Sequence, residues 1–467
     1  MFTKIKNWIA PLVKWINQGQ NPLIITIVFL ALSTLWVYAS PRSLPAFLLL
    51  LLSAGLIYAL KLKPKVKLLL GLMVALVIMP IIGVRNIFYL EVLFQIGLFS
   101  ALALGLNIVV GFTGLLNMGY VAFYAVGAYL WGFFGSQQMY LLDAIPGTVP
   151  PGTPFLLPGD MFYLFILLGI IVAAVVGLLL GLPVLRVRGD YLAIVTLAFG
   201  EVIRQAANNL DKPVNLTNGP QGIASIQRPS LPQEVVDAIN VILAPLVGRA
   251  ATQNELYNVM FYFIAMIVAI TIIVVTMRLD DSKIGRAWTA IREDELAAVA
   301  MGIPAVKMKL AAFAVGASFA GAMGVLLAAS RTFISPESFN FMQSIGVLAM
   351  VILGGIGSIP GVVLGAAVVT VLNLQILQGL SLYLAQLRQS DAVIPVINFA
   401  WKNLSNQLDP AKYQRLFFGL ILILMMIYRP DGLIPAKRTK KELVRDKENG
   451  DGPPVEAVEP AQEVNHG

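Results

Sequence analysis

Asp280 to Lys309 reads DDSKIGRAWTAIREDELAAVAMGIPAVKMK, a charged, helix-forming stretch between two long apolar runs near 257–277 and 310–330. Each flanking run exceeds the roughly 18 apolar residues that a bilayer crossing needs, so the polar stretch sits beside a membrane rather than within it. Asp281 or Ser282 suits a helix N-cap, and Gly302 followed by Pro304 makes a helix stop. Trp288, Ile291, Leu296 and Val299 give a loose apolar stripe, and Arg292 and Glu295, three apart, can pair on the polar face. The small residues Ala297 and Ala298 beside Glu295, with Gly302 and Ile303 after them, suit insertion into a soluble partner's groove. A solvated helix that satisfies its own charges is the alternative reading.

Composition extends the membrane reading to the whole chain. Of 467 residues, 58% are apolar and only 12% charged. The apolar runs are continuous rather than alternating, which selects an all-α, polytopic integral membrane protein over a barrel. With no Cys and His466 as the single His, disulfides, thiolate chemistry, Cys/His zinc sites and His proton relays are excluded. The net charge of +8 does not point to nucleic acid, because Lys and Arg cluster beside the apolar runs.

Apolar runs lie near 23–39, 44–60, 68–84, 88–110, 118–135, 161–185, 257–277, 310–330, 342–356, 361–376 and 414–428, with a weaker one at 191–205. By window length that is about twelve transmembrane helices. With both termini cytoplasmic, KLKPKVK, LRVRGD, the 280–309 insert and PAKRTKKELVRDK all fall inside, as the positive-inside rule requires. The segment 377–413 fits this least well, carrying Arg388, Lys402 and Lys412 on the outside. Ile5, Trp8, Ile9, Leu12, Val13 and Ile16 recur with helical spacing among lysines, as in an interfacial helix. Val37-Tyr38-Ala39 resembles a signal-peptide cleavage site, but the charged segment before the run is too long, and an uncleaved helix is expected. The expected organisation is an extension at 1–87, with the interfacial helix and about three crossings, a core at 88–435, and a basic, then disordered tail at 436–467.

Among the outside segments, LTNGPQGI demands tight turns. The Asn215 and Asn403 glycosylation-type triplets are read as chance. Inside the bundle, Gly357, Gly361 and Gly365 are spaced by four and share a face if one helix runs through Pro360. Close helix packing is the plainer reading; a glycine-broken crossing at Gly354 and Gly355 that exposes backbone to a substrate path is the sharper one. Gly105, Gly111, Gly114 and Gly119 also suit packing, and Asn107 and Asn117 near them could line a polar path. Glu91 and Glu201 are carboxylates within apolar runs, the second with Arg204 three residues on.

Glu295-Leu-Ala297-Ala298 followed by Gly302-Ile303-Pro304 is similar to the cytoplasmic coupling loop of ABC-importer permeases, although Leu296 interrupts its EAA core. ALGLNIVVGFTGLLNMGYVAFYAVGAY, LRVRGDYLAIVTLAFGEVIR, LTNGPQGI, SIGVLAMVILGGIGSIPGVVLGA and YRPDGLI resemble, in family order, the M-type (LivM-like) permeases of branched-chain amino-acid and urea importers. The resemblance implies an inner-membrane translocation subunit that works with a second homologous permease, two cytoplasmic ABC ATPase subunits and a periplasmic substrate-binding protein. It also implies that the helix at 286–302, with Arg286, Trp288, Arg292 and Glu295, carries ATPase closure to the bundle. No GxxxxGK[ST] loop occurs, so ATP and Mg belong to partner chains; no cofactor, metal or enzymatic activity is expected in this one. Branched-chain amino acids are the leading substrate class and urea or short amides the next. An ion-coupled secondary transporter would need an acidic or His cluster that the sequence does not offer.

Overall fold

The computed structural model describes residues 21–436, apart from 42, 61, 143–154, 185–190, 390–392, 395–398, 401–406 and 408. The interfacial helix, the LRVRGD loop, the Asn403 triplet and the disordered tail expected from the sequence lie outside the described residues.

Every apolar run forms a helix. In chain order these are α1 (Asn21–Ala39), α2 (Leu44–Ala59), α3 (Pro64–Arg85), α4 (Ile87–Phe112), α5 (Val121–Phe134), α6 (Phe162–Val184) and α7 (Tyr191–Asn209). After the amphipathic α8 (Gln233–Val247) come α9 (Gln253–Asp280), the polar pair α10 (Lys283–Glu293) and α11 (Glu295–Ala300), then α12 (Ala305–Arg331), α13 (Phe341–Gly354), α14 (Ile359–Gln389) and α15 (Gln414–Tyr428). The sequence leads one to expect about twelve crossings. Among the described residues nine helices are long and apolar enough to span a membrane. α2 and α5 are too short, and α7, with Glu201, Arg204 and Gln205 in its second half, is too polar.

The bundle is centred on α12 and α4, the most deeply buried of the spanning helices. Small residues make that centre possible, because with lipid outside, helices associate through close backbone approach. A Cβ on Gly127 of α5 would lie 2.0 Å from the Gly321 carbonyl oxygen of α12. A second apolar cluster joins α1, α2 and α3 to the first residues of α4, to α8 and to α9, so the amino-terminal helices share a core with the permease core's own elements. The sequence reading missed α8 within the polar segment 206–255; its Val236 and Leu243 are buried in this second cluster.

The tight turns of LTNGPQGI are present: Asn218 has φ 58°, and Gly219 and Gly222 are also left-handed. Asn218 Nδ2 donates to the Gly222 carbonyl at 2.7 Å, and β1 (Ile223–Ala224) pairs antiparallel with β2 (Phe333–Ile334), at the end of the bundle away from α10 and α11. Asn215 is buried, which suits the reading of its triplet as chance. Glu91 is answered by Arg331 at 2.5 Å and by Gln95 Nε2 at 2.7 Å, tying α4 to the end of α12.

Between α4 and α5, residues 113–120 are not helical, so the run expected as one crossing at 118–135 opens on irregular backbone and continues as a helix of only 14 residues. Side chains of the stretch itself and of neighbouring helices take up backbone N–H groups here and at the start of α5. Thr196 Oγ1 accepts from Met118 N at 3.1 Å, Asn117 Oδ1 from Gly119 N at 3.0 Å and Ser344 Oγ from Val121 N at 3.2 Å.

Candidate functional site

The insert folds as two helices, not one. Ser282 caps α10, its Oγ accepting from Ile284 N and Gly285 N, which settles the choice between Asp281 and Ser282. The helix expected over 286–302 breaks at Asp294, whose backbone is extended and whose Oδ1 accepts from Leu296 N at 2.9 Å and Ala297 N at 3.0 Å, starting α11 afresh. The stop falls where the sequence placed it. Gly302 is left-handed at φ 86°, its N–H reaches Val299 O at 2.9 Å, and Ile303 N reaches Ala298 O at 3.0 Å, the two bonds of a Schellman motif.

The apolar stripe divides between these helices. Trp288 and Ile291 of α10 are buried, Trp288 stacking on Phe112 with its Nε1 donating to Met308 O at 2.7 Å. Leu296 and Val299 do not continue that face. Leu296 is 78% exposed and Met301 84%, because α11 turns its apolar side outward while Ala298 packs inward with Ile291, Ile303 and Ala305. The expected Arg292–Glu295 pair is not formed either. Glu295 pairs with Lys309 of α12 at 2.6 Å, and Arg292 Nη1 donates to the Gly111 carbonyl at 2.5 Å. Arg286 Nη1 stays local, donating to Asp281 O at 2.9 Å.

Through Arg292, α10 meets the glycine-rich break. The Gly357 N–H donates to Asn107 Oδ1 at 2.8 Å, and a Cβ on Gly357 would lie 3.3 Å from Arg292 Nη1. Gly357 is therefore not on a helix face with Gly361 and Gly365: α13 ends at Gly354, Gly355 and Gly357 take φ 116° and 83°, and α14 starts at Ile359 with Ser358 as its cap. Gly361 and Gly365 do serve close packing, since Cβ atoms there would lie 2.3 Å from Gly354 O and Met350 O. The closing segment RPDGLI seals the break, with Leu433 N donating to Leu353 O and Ile434 N to Gly354 O at 3.0 and 3.1 Å.

Asn107 is fully buried and its Nδ2 has no partner among the described residues; the same holds for Asn117 Nδ2. Glu201 lies apart from this cluster, on α7, paired with Arg204. The site residues that sequence reasoning missed are Gly111, Asp294 and Lys309. Asp before Glu at the head of Glu-Leu-Ala-Ala is a readable cap signal; the partnerships of Gly111 and Lys309 have no local one. Among the described residues no group of three or more His, Cys, Asp or Glu is placed to hold a metal ion.

Among the described residues, nine helices long and apolar enough to span a membrane, a non-helical stretch between α4 and the shorter α5, and a pair of capped polar helices fixed to one end define a polytopic helical permease. The chain belongs to the family described as branched-chain amino acid transport system permease component, whose sequence profile matches residues 88–426. It is 35% identical over 364 residues to the Salmonella typhimurium high-affinity branched-chain amino acid transport system permease protein LivM, covering 76% of this chain and 72% of that one. A probable LivM of Methanocaldococcus jannaschii is 26% identical over 74% of this chain and 93% of its own length. The Salmonella typhimurium permease protein LivH is 25% identical over 58% of this chain and 80% of its own. No solved structure matches.

Proposed function

We propose that this chain is the translocation subunit of an ATP-driven importer of branched-chain amino acids in the bacterial inner membrane. A second homologous permease, two cytoplasmic ABC ATPase subunits that bind ATP and Mg, and a periplasmic binding protein complete the complex. The observation that carries the reading is the α10–α11 pair. One helix is anchored to the bundle by Trp288 and Arg292, and the other holds Leu296, Val299 and Met301 out to solvent, where an ATPase groove can take them. A push on α11 reaches the Asn107–Gly357 contact through Arg292, so α10 acts as the lever and the glycine break between α13 and α14 as the part it moves. The similarity to both LivM and LivH suits pairing with a homologous second permease, and the turns near 215–223, at the far end, suit the binding protein.

The test is uptake of labelled leucine and labelled urea into proteoliposomes holding the co-purified complex, with and without ATP and the binding protein. Leucine uptake that needs both is expected. Urea uptake would move the chain to the sister subfamily, and uptake by this chain alone on an ion gradient would overturn the importer reading. In the same assay Arg292→Ala should cut leucine transported per ATP by about fivefold, the low end of ordinary coupling energies between sites.

A further inference from the structure

Up to its last turn the exposed residues of α7 fall on one stripe, Tyr191, Ile194, Ala198, Glu201, Val202 and Gln205, apolar at its start and more polar in its second half. The height of that stripe in the bundle follows from its neighbours. Gly119 packs on Thr196 and Gly200 of α7 so closely that a Cβ on Gly119 would lie 3.0 Å from Gly200 N. The adjoining Tyr120 donates its hydroxyl to Gly316 O at 2.8 Å, in the middle of the spanning helix α12. Glu201, next to Gly200, therefore stands near mid-height, where hydrocarbon cannot solvate a carboxylate, so its face is turned to water or to a polar partner.

Arg204 holds two carboxylates there. Its Nε donates to Glu201 Oε1 at 2.9 Å and its Nη1 to Glu337 Oε1 at 2.7 Å, Glu337 reaching in from the turn between α12 and α13. The side chains of Glu201 and Glu337 are 46% and 70% exposed, so both carboxylates keep open lone pairs, and the cluster carries one surplus negative charge. Directly behind it runs the non-helical stretch 113–120, and backbone of that kind at membrane depth is found buried in protein or lining a water-filled cavity. Asn117 in that stretch is buried with its Nδ2 unpartnered among the described residues. The adjoining α7 and α13 expose Val202, Met342 and Ile345. Surplus anion, guanidinium and apolar side chains complement the ammonium, carboxylate and side chain of an apolar amino acid.

We propose that Glu201, Arg204 and Glu337 form a transient contact for the charged groups of a zwitterionic amino acid crossing the membrane along α7; this rests on the importer reading. The contact makes the chain select for a free α-ammonium in addition to whatever its binding protein selects.

The test uses the full reconstituted complex at saturating loaded binding protein, comparing the wild type with Glu201→Gln, Glu201→Asp and Glu337→Gln. Leucine moved per ATP should fall about tenfold in each Gln variant, the rate effect of losing one charge-assisted contact, and recover in Glu201→Asp. Co-purification of the second permease and stimulated ATPase should persist. Unchanged uptake per ATP in both Gln variants overturns the proposal, as does loss of the second permease from them, which would make the cluster a subunit-interface ion pair. If Glu201→Gln does not insert, Glu337→Gln, whose side chain is 70% exposed, decides alone. Absence of ATP-dependent leucine uptake by the wild type would instead sink the importer reading.

Discussion

Gly302 and Gly355 share a left-handed backbone, yet they differ in what surrounds them. A Cβ on Gly302 meets nothing within 4 Å, whereas one on Gly355 would lie 2.6 Å from Ile434 O and 2.8 Å from Asp431 O, both backbone atoms that cannot step aside. Gly302→Ala should therefore cost only the left-handed penalty, about 1–2 kcal/mol, and Gly302→Asn less, since Asn tolerates that region. Gly355→Ala carries the same penalty plus the displacement of RPDGLI from the end of α13. Thermal unfolding of the purified protein in detergent should rank wild type, Gly302→Asn, Gly302→Ala and Gly355→Ala in falling order. Equal midpoints for the two Ala variants would show that the seal by RPDGLI does not constrain the break. The same pair separates the roles these glycines have: one ends a helix at a docking surface, the other lets two strands of backbone touch inside the protein.

Asp294 does at the scale of an element what those glycines do for a turn, dividing one polar helix into an anchored lever and an exposed foot. Asp294→Ala removes a cap that bonds two N–H groups, a loss of about 1 kcal/mol, and it also removes the reason for α11 to begin where it does. The expected result is faster hydrogen exchange at residues 295–301 with the protection of 284–293 unchanged, because Trp288 and Arg292 still hold α10 to the bundle. Equal loss of protection in both helices would mean that they act as one unit. This break marks the limit of what was legible in the sequence. The apolar runs could be read one by one because hydropathy is a local property, and the Gly302–Pro304 stop because its signals are adjacent residues. The Arg292–Gly111 bond joins residues 181 apart and has no local trace. Leu296 looked like a continuation of the Trp288 stripe because helical spacing carries over a gap, and only the change of direction at Asp294 turns it outward. The late start of α5 was hidden for a related reason: Met118 is as apolar as a helix interior, and it is Thr196, far along the chain, that accepts from its backbone N–H where the helix has not yet begun.

At the scale of the whole molecule, the family match begins at residue 88, while the amino-terminal helices share an apolar cluster with elements of the core. What joins the two parts decides whether the extension is structural or dispensable. Most of the junction is apolar, and in a bilayer lipid chains can replace apolar cover at little cost, because helices there gain no hydrophobic driving force against lipid. The polar contacts cannot be replaced so easily. Across the boundary Tyr89 donates its hydroxyl to Ser43 O at 3.4 Å and stacks on Phe47 at 3.9 Å, and Tyr262 donates its hydroxyl to Ala75 O at 3.0 Å. Just before it, Arg85 Nη1 donates to Tyr38 O at 2.6 Å with its guanidinium 3.7 Å over the Tyr38 ring, and Asn86 Nδ2 donates to Pro41 O at 2.8 Å, holding α1 and the turn after it to the start of α4. The contacts of Tyr38, Pro41, Ser43 and Phe47 gather at the end of the bundle away from α10 and α11, so these polar ties do not reach the polar lever or the glycine break. Removing residues 1–62 should then leave ATP-coupled leucine uptake by the complex in native lipids close to that of the full chain. It should also lower the unfolding midpoint in detergent by several degrees, the effect of losing contacts worth about 2–4 kcal/mol in total. Lost uptake in lipid with the complex still assembled would mean that the extension takes part in the transport cycle itself, and that α1 and α2 move with the bundle rather than merely covering it.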